Sequence, residues 1–99
     1  MQGRRILVAD PRADPYLMLE RSGDYYGPVT GFSGDSPAVF FLLPGADKRL
    51  AHVQSPPHAF TEEDDGSLTI RASILSRWRD EAGERNWHGF LTRGAWSEC

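Results

Sequence analysis

Six consecutive apolar residues, Ala38-Val-Phe-Phe-Leu-Leu43, lie between Pro37 and Pro44. A run this short, closed at both ends by proline, predicts a central strand buried on both faces. Phe40 and Phe41 then point to opposite sides of the sheet. No other apolar run in the chain is longer, and a membrane helix needs about 20 such residues. The chain is therefore expected to contain no membrane span.

The flanking segments extend this picture. Pro44-Gly45-Ala46-Asp47 reads as a hairpin loop, with Arg49 to Val53 as the return strand. Arg4 to Ala9 reads as a short strand stopped by Asp10-Pro11. In the Asp14–Gly23 segment, Asp14 suits a helix N-cap, Pro15 a first helical position and Gly23 a helix end. A strand from Tyr16 to Arg21 fits equally, so both readings stay open. Tyr25 to Pro37 holds Gly27, Pro28, Gly31, Gly34 and Pro37, which predicts turns and extended backbone. Ser55-Pro56-Pro57-His58 reads as a rigid connection.

In the second half, Leu68, Ile70, Ala72 and Ile74 alternate with Thr69, Arg71 and Ser73. That is the pattern of a half-buried strand. From Ser76 to Arg85 the alternation fails, and a helical turn ending at Gly83 or a solvated loop is expected. Trp87 to Thr92 and Ala95 to Cys99 form a hairpin about Arg93-Gly94. A two-residue loop sets Thr92 opposite Ala95, Leu91 opposite Trp96, Phe90 opposite Ser97 and His88 opposite Cys99. The fold class expected is mainly β, an antiparallel sheet or hairpins of five to seven strands with at most two short helices. The alternative is α+β. A parallel α/β fold lacks room for its crossover helices.

With 99 residues the expectation is a single domain over 1–99. Such a chain buries roughly 65% of its unfolded surface, enough for one thin core. The formal net charge is −3, neutral over the first fifty residues and negative over the rest. No basic stripe is present, so direct nucleic-acid binding is not expected. A secretory signal is not recognisable at the N-terminus. Cys99 is the one cysteine, which excludes an internal disulfide and fits a cytoplasmic protein.

Few residue patterns suggest chemistry. Ser36 in Gly34-Asp35-Ser36 resembles the setting of a catalytic serine, but no histidine stands at a supporting distance in sequence, and a turn explains it. Gly27, Gly31 and Gly34 lack the lysine of a phosphate loop. Glu62, Glu63, Asp64 and Asp65 form an acidic turn. Their adjacency does not suit a calcium loop, whose acids alternate. The turn is read as solvated, with steering of a basic partner surface as its functional alternative and little influence on folding. His52, His58, His88 and Cys99 are the soft ligands available for a metal, without metal-site spacing. No metal and no cofactor is expected, a small metal-dependent module or enzyme on these four residues being the alternative. Trp78, Trp87 and Trp96 crowd the last third, as core or as anchors for a protein partner.

Trp87-His-Gly-Phe-Leu-Thr-Arg-Gly-Ala-Trp96 resembles WHGFL-x-x-G-x-W, a C-terminal signature of small uncharacterised phage and prophage proteins. Phe40-Phe-Leu-Leu-Pro-Gly45 and Gly66-Ser-Leu-Thr-Ile-Arg-Ala-Ser-Ile-Leu75 are similar to upstream elements of that family. Some relatives carry cysteines that suggest a zinc knuckle. Here Leu43 and Ala46 flank the Pro-Gly turn, and no cysteine precedes His88. The resemblance implies a phage-derived accessory protein and transfers no catalytic residue. The expected function is non-enzymatic, through binding of a host or phage protein at Glu62, Glu63, Asp64, Asp65, Trp78, Trp87 or Trp96. Inhibition of bacterial immunity, as by an anti-CRISPR, is one such role. The oligomeric state stays open.

Overall fold

A computed structural model describes residues 1–7, 15–46 and 49–99. Its strands form two four-stranded sheets. The first holds β1 (Arg5–Ile6), β2 (Tyr25–Ser33), β3 (Ser36–Leu42) and β4 (Leu50–Gln54), in that order. The second holds β5 (Ala59–Glu62), β6 (Leu68–Asp80), β7 (Gly83–Thr92) and β8 (Ala95–Glu98), also in order. β2 to β8 pair antiparallel within their sheets, and the two-residue β1 runs parallel to β2. The mainly β expectation is met. The one described helix is α1 (Pro15–Met18), a single turn. The helical alternative for this segment thus holds over four residues only. Asp14, the end of the expected first strand and Asp47 lie outside the described residues.

β3 is the strand that the proline-bounded run predicts. Val39, Phe41 and Leu43 face the second sheet and pack with Leu68, Ile70, Ile74, Trp87, Leu91 and Trp96. Ala38, Phe40 and Leu42 face the other way and pack with Tyr26 and with Leu19, beyond α1. Sheet packs on sheet on one side of β3, and the α1 segment covers the other. Double burial is why the run is continuously apolar rather than alternating. β4 is the expected return strand, and its register sets Phe40 opposite His52 and Phe41 opposite Ala51.

Two local expectations are corrected, and a third is refined. Tyr25 to Pro37 is largely extended backbone with one turn: it holds β2 and the start of β3, joined at Gly34-Asp35. Irregular register between Tyr26 and Val29, and again between Val29 and Ser33, absorbs the breakers inside a strand. Gly27 takes φ +126° there, and a Cβ on it would sit 2.6 Å from the Ala38 carbonyl oxygen. Ser76 to Arg85 is neither helix nor loop. β6 runs on to Asp80, turns through Glu81-Ala82, and returns as β7. Ala72 is exposed rather than inward, because the register shifts between Ile70 and Ile74.

The C-terminal hairpin has the register expected. Thr92 pairs Ala95, Leu91 pairs Trp96, Phe90 pairs Ser97 and Gly89 pairs Glu98. Arg93 at φ +49° and Gly94 at φ +78° make the two-residue turn with both central residues left-handed.

Candidate functional site

β6 outruns its neighbours. β5 covers it from Leu68 to Arg71, and β8 covers β7 from Gly89 to Thr92. From Ser76 opposite Trp87 to Asp80 opposite Gly83, the two strands pair only with each other among the described strands. The result is a two-stranded ribbon. Its tip is set by Asp80, whose Oδ1 accepts the Ala82 N–H at 2.8 Å, and by Gly83 at φ +107°. Both ribbon faces carry polar residues, so the alternation of a half-buried strand is lost. The four-residue spacing of Trp78 and Ala82 mimics a helix, but the Asp80 turn separates them.

Trp78 anchors the ribbon. It lies opposite Arg85 and packs partly buried against the main core. Arg49, at the start of the return to β4 in the other sheet, places its guanidinium 5.6 Å from the indole centroid. A cation over an aromatic face that solvent still reaches contributes about 0.5–1 kcal/mol. On the opposite ribbon face, Arg77 pairs Asn86 and Arg79 pairs Glu84. Arg79 Nη2 meets Glu84 Oε1 at 3.0 Å, and Arg85 Nη1 lies 3.8 Å from Asp80 Oδ2.

Two neighbouring openings share Trp78, Arg79 and Arg85. One, of about 440 Å³, lies between the ribbon tip and Gly45, Ala46 and Arg49 of the β3–β4 turn. The other, of about 360 Å³, is lined also by Arg77, Glu84 and Asn86. Trp78, Arg79 and Arg85 line both openings, joined by Arg49 in the one that holds Asp80 and by Arg77 in the one that holds Glu84. This is the residue chemistry of interface hot spots, and it reverses locally the sign of a chain whose net charge is −3. Arg49 and Arg85 escape a reading of sequence because the one comes from the other sheet. Reading Asp80-Glu-Ala-Gly83 as a tight turn would have placed Arg85 opposite Trp78.

The other expected site residues are placed as follows. Trp87 and Trp96 are core residues, their rings perpendicular at 82° and 5.6 Å apart. Trp96 donates its indole N–H to the Gly23 carbonyl at 2.8 Å. Trp87 lies over Gly89: a Cβ there would meet its Cη2 at 2.6 Å. Leu91 is fully buried and Gly94 makes the turn. The tryptophan-glycine signature therefore has a packing explanation at each of these positions.

The acidic turn is partly committed within the chain. Glu62 forms an ion pair with Arg5 at 2.6 Å, and Glu63 with Arg93 at 3.5 Å while accepting the Thr69 hydroxyl. Asp65 accepts the Ser67 hydroxyl and N–H, and these bonds hold its carboxyl below the ordinary 3.8. Asp64 is exposed.

His52, His58, His88 and Cys99 are not brought together. His52 stands opposite Phe40 on the outer face of the first sheet, with ring centroids 5.6 Å apart. His88 lies opposite Leu75, on the outer face of the second sheet, across the sandwich. His58 Nε2 is 3.1 Å from the Ser73 carbonyl oxygen. Cys99 is exposed, and its N–H donates to the His88 carbonyl at 2.8 Å. Among the described residues, no three His, Cys, Asp or Glu side chains converge in a way that could hold a metal ion. No described helix is long and apolar enough to cross a membrane. Set against protein-family models, curated proteins and solved structures, the chain matches none.

Proposed function

We propose that this protein is a non-enzymatic accessory protein of phage or prophage origin that acts by binding a host or phage protein in the bacterial cytoplasm. The observation that supports binding is the pair of openings along the ribbon, which share Trp78, Arg79 and Arg85 and add Arg49 in one and Arg77 in the other. Tryptophan and arginine dominate the energetics of protein interfaces, because each joins a large contact area to directional polar groups. The phage origin rests on the resemblance of residues 38–96 to the signature-bearing family. Blocking a component of bacterial immunity is one task suited to a binder of this size.

Quantitative affinity capture from bacterial lysate tests the reading. Wild-type and Trp78→Ala baits are compared after circular dichroism has verified that both are folded. A specific protein retained by wild type and reduced at least tenfold with Trp78→Ala supports it. If wild type retains none, or if Trp78→Ala retains it equally, the cleft is not the binding site.

A further inference from the structure

We infer that the two adjoining openings along the β6–β7 ribbon, which share Trp78, Arg79 and Arg85, receive an acidic peptide segment whose carboxylates are bound by Arg49 in the opening beside the β3–β4 turn and by Arg77 in the other. This rests on the interaction reading above and names the chemistry of the partner. The two linings together supply four guanidinium groups and two carboxylates. Among the described residues, Arg77 and Arg49 form no ion pair, so two cations stand without a carboxylate.

Within the chain, Arg79 Nη2 donates to Glu84 Oε1 at 3.0 Å, and Asp80 lies 3.8 Å from Arg85. Arg77 and Arg49 have no such neighbour among the described residues. A guanidinium can bind an incoming carboxylate through two parallel N–H donors, which fixes orientation as well as charge. A peptide that brings two acids to Arg77 and Arg49 would give carboxylate partners to the two cations that lack them. Its apolar residues would rest on Trp78, which lines both openings.

A single nucleic-acid strand fits less well. It requires open aromatic faces on which bases stack. Arg49 covers one face of Trp78, and the indole packs partly against the core. Asp80 and Glu84 would also repel a continuous line of phosphates, whereas a peptide can space its acids around them.

Fluorescence anisotropy with three labelled probes tests the inference on the intact chain. The probes are a ten-residue peptide alternating Glu and Leu, the same peptide with Lys for Glu, and a ten-nucleotide oligo-dT strand. Because the chain has net charge −3, generic attraction favours the Lys peptide, so preference for the Glu peptide reports a local site. The Glu peptide is expected to bind in a salt-dependent way, at least tenfold more tightly than either other probe. Arg77→Glu, which breaks no internal ion pair, is expected to weaken it at least tenfold, and Arg77→Gln about threefold. Equal binding of the two peptides, tighter binding of oligo-dT, or indifference to both Arg77 variants would overturn the inference. If lysate capture depends on Trp78 while the Glu peptide does not bind, the interaction reading stands and the acidic partner falls. If neither occurs, both fall.

Discussion

Arg4 and Asp24 form a two-point ion pair, with Arg4 Nε 3.1 Å from Oδ1 and Nη2 2.8 Å from Oδ2 of the carboxylate. Asp24 is 1% exposed and is the one buried charged residue of the described chain. Its Oδ2 also accepts the N–H groups of Glu20 and Arg21, at 3.1 and 3.0 Å. It thereby ties the segment after α1 to the strand before β2. Burial alone would raise its carboxyl pKa. The Arg4 hydrogen bond, the Arg21 and Glu20 N–H groups and the Arg4 charge outweigh burial and hold it below the ordinary 3.8.

Replacing this carboxylate is expected to unfold the α1 segment before the sandwich. A pair buried on both sides is worth about 3–5 kcal/mol when broken, and an exposed pair about 0–1. Arg4 is 45% exposed, so Asp24→Asn should cost about 2 kcal/mol at pH 7 by interpolation between those limits. The folded pKa lies below the unfolded one, so this stabilisation is present above about 3.9 and lost as pH falls through the lower folded value. Urea unfolding of wild type and Asp24→Asn at pH 7, 4 and 2.5 should show the gap closing with acid. A gap independent of pH would show that the charge is not the cause.

Phe40 and Phe41 are expected to be separately essential. Phe41 lies in the core between the sheets and Phe40 in the cluster under α1. Each Phe→Ala removes most of a buried ring and should cost about 3–5 kcal/mol in chemical denaturation. Because the clusters lie on opposite faces, the two losses should be close to additive in the double variant. A loss below about 1 kcal/mol at either position would remove that cluster from the core.

Gly89→Ala is expected to disturb the tryptophan pair. Its Cβ would meet Trp87 Cη2 at 2.6 Å and crowd the Ser97 carbonyl. Overpacking of this kind costs about 1–3 kcal/mol. The near-ultraviolet circular dichroism from the Trp87–Trp96 pair should change together with a lower Tm. An unchanged aromatic spectrum would show that Trp87 is free to move aside.

The acidic turn should separate into structural and free carboxylates. Glu63→Ala removes the partner of the Thr69 hydroxyl and of Arg93, and should cost about 1 kcal/mol. Asp64→Ala, at an exposed position, should change stability by less than about 0.5 kcal/mol. Equal effects in urea unfolding would mean that the Glu63 contacts do not persist in solution. Charge reversal across all four residues is therefore expected to lower stability through the Glu62 and Glu63 contacts, which an isolated acidic run does not suggest.

Much of this architecture is legible locally. The Pro37-to-Pro44 run specifies a doubly buried strand, because continuous apolarity has no other use in a short extended segment. Arg93-Gly94 specifies a hairpin register, because a two-residue turn leaves no freedom in the pairing that follows, and Leu91 opposite Trp96 results. The division into two sheets is not written in either segment. It is decided by which apolar faces meet, Val39 and Phe41 against Ile74, Leu91 and Trp96. The ribbon from Ser76 to Asn86 is likewise tertiary: its polar faces erase the period of two, and packing of Trp78 against the core holds it. The same packing sorts three similar tryptophans into two core residues and one cleft residue. It also brings Arg49 across from the other sheet, since charge convergence depends on chain path and not on spacing in sequence.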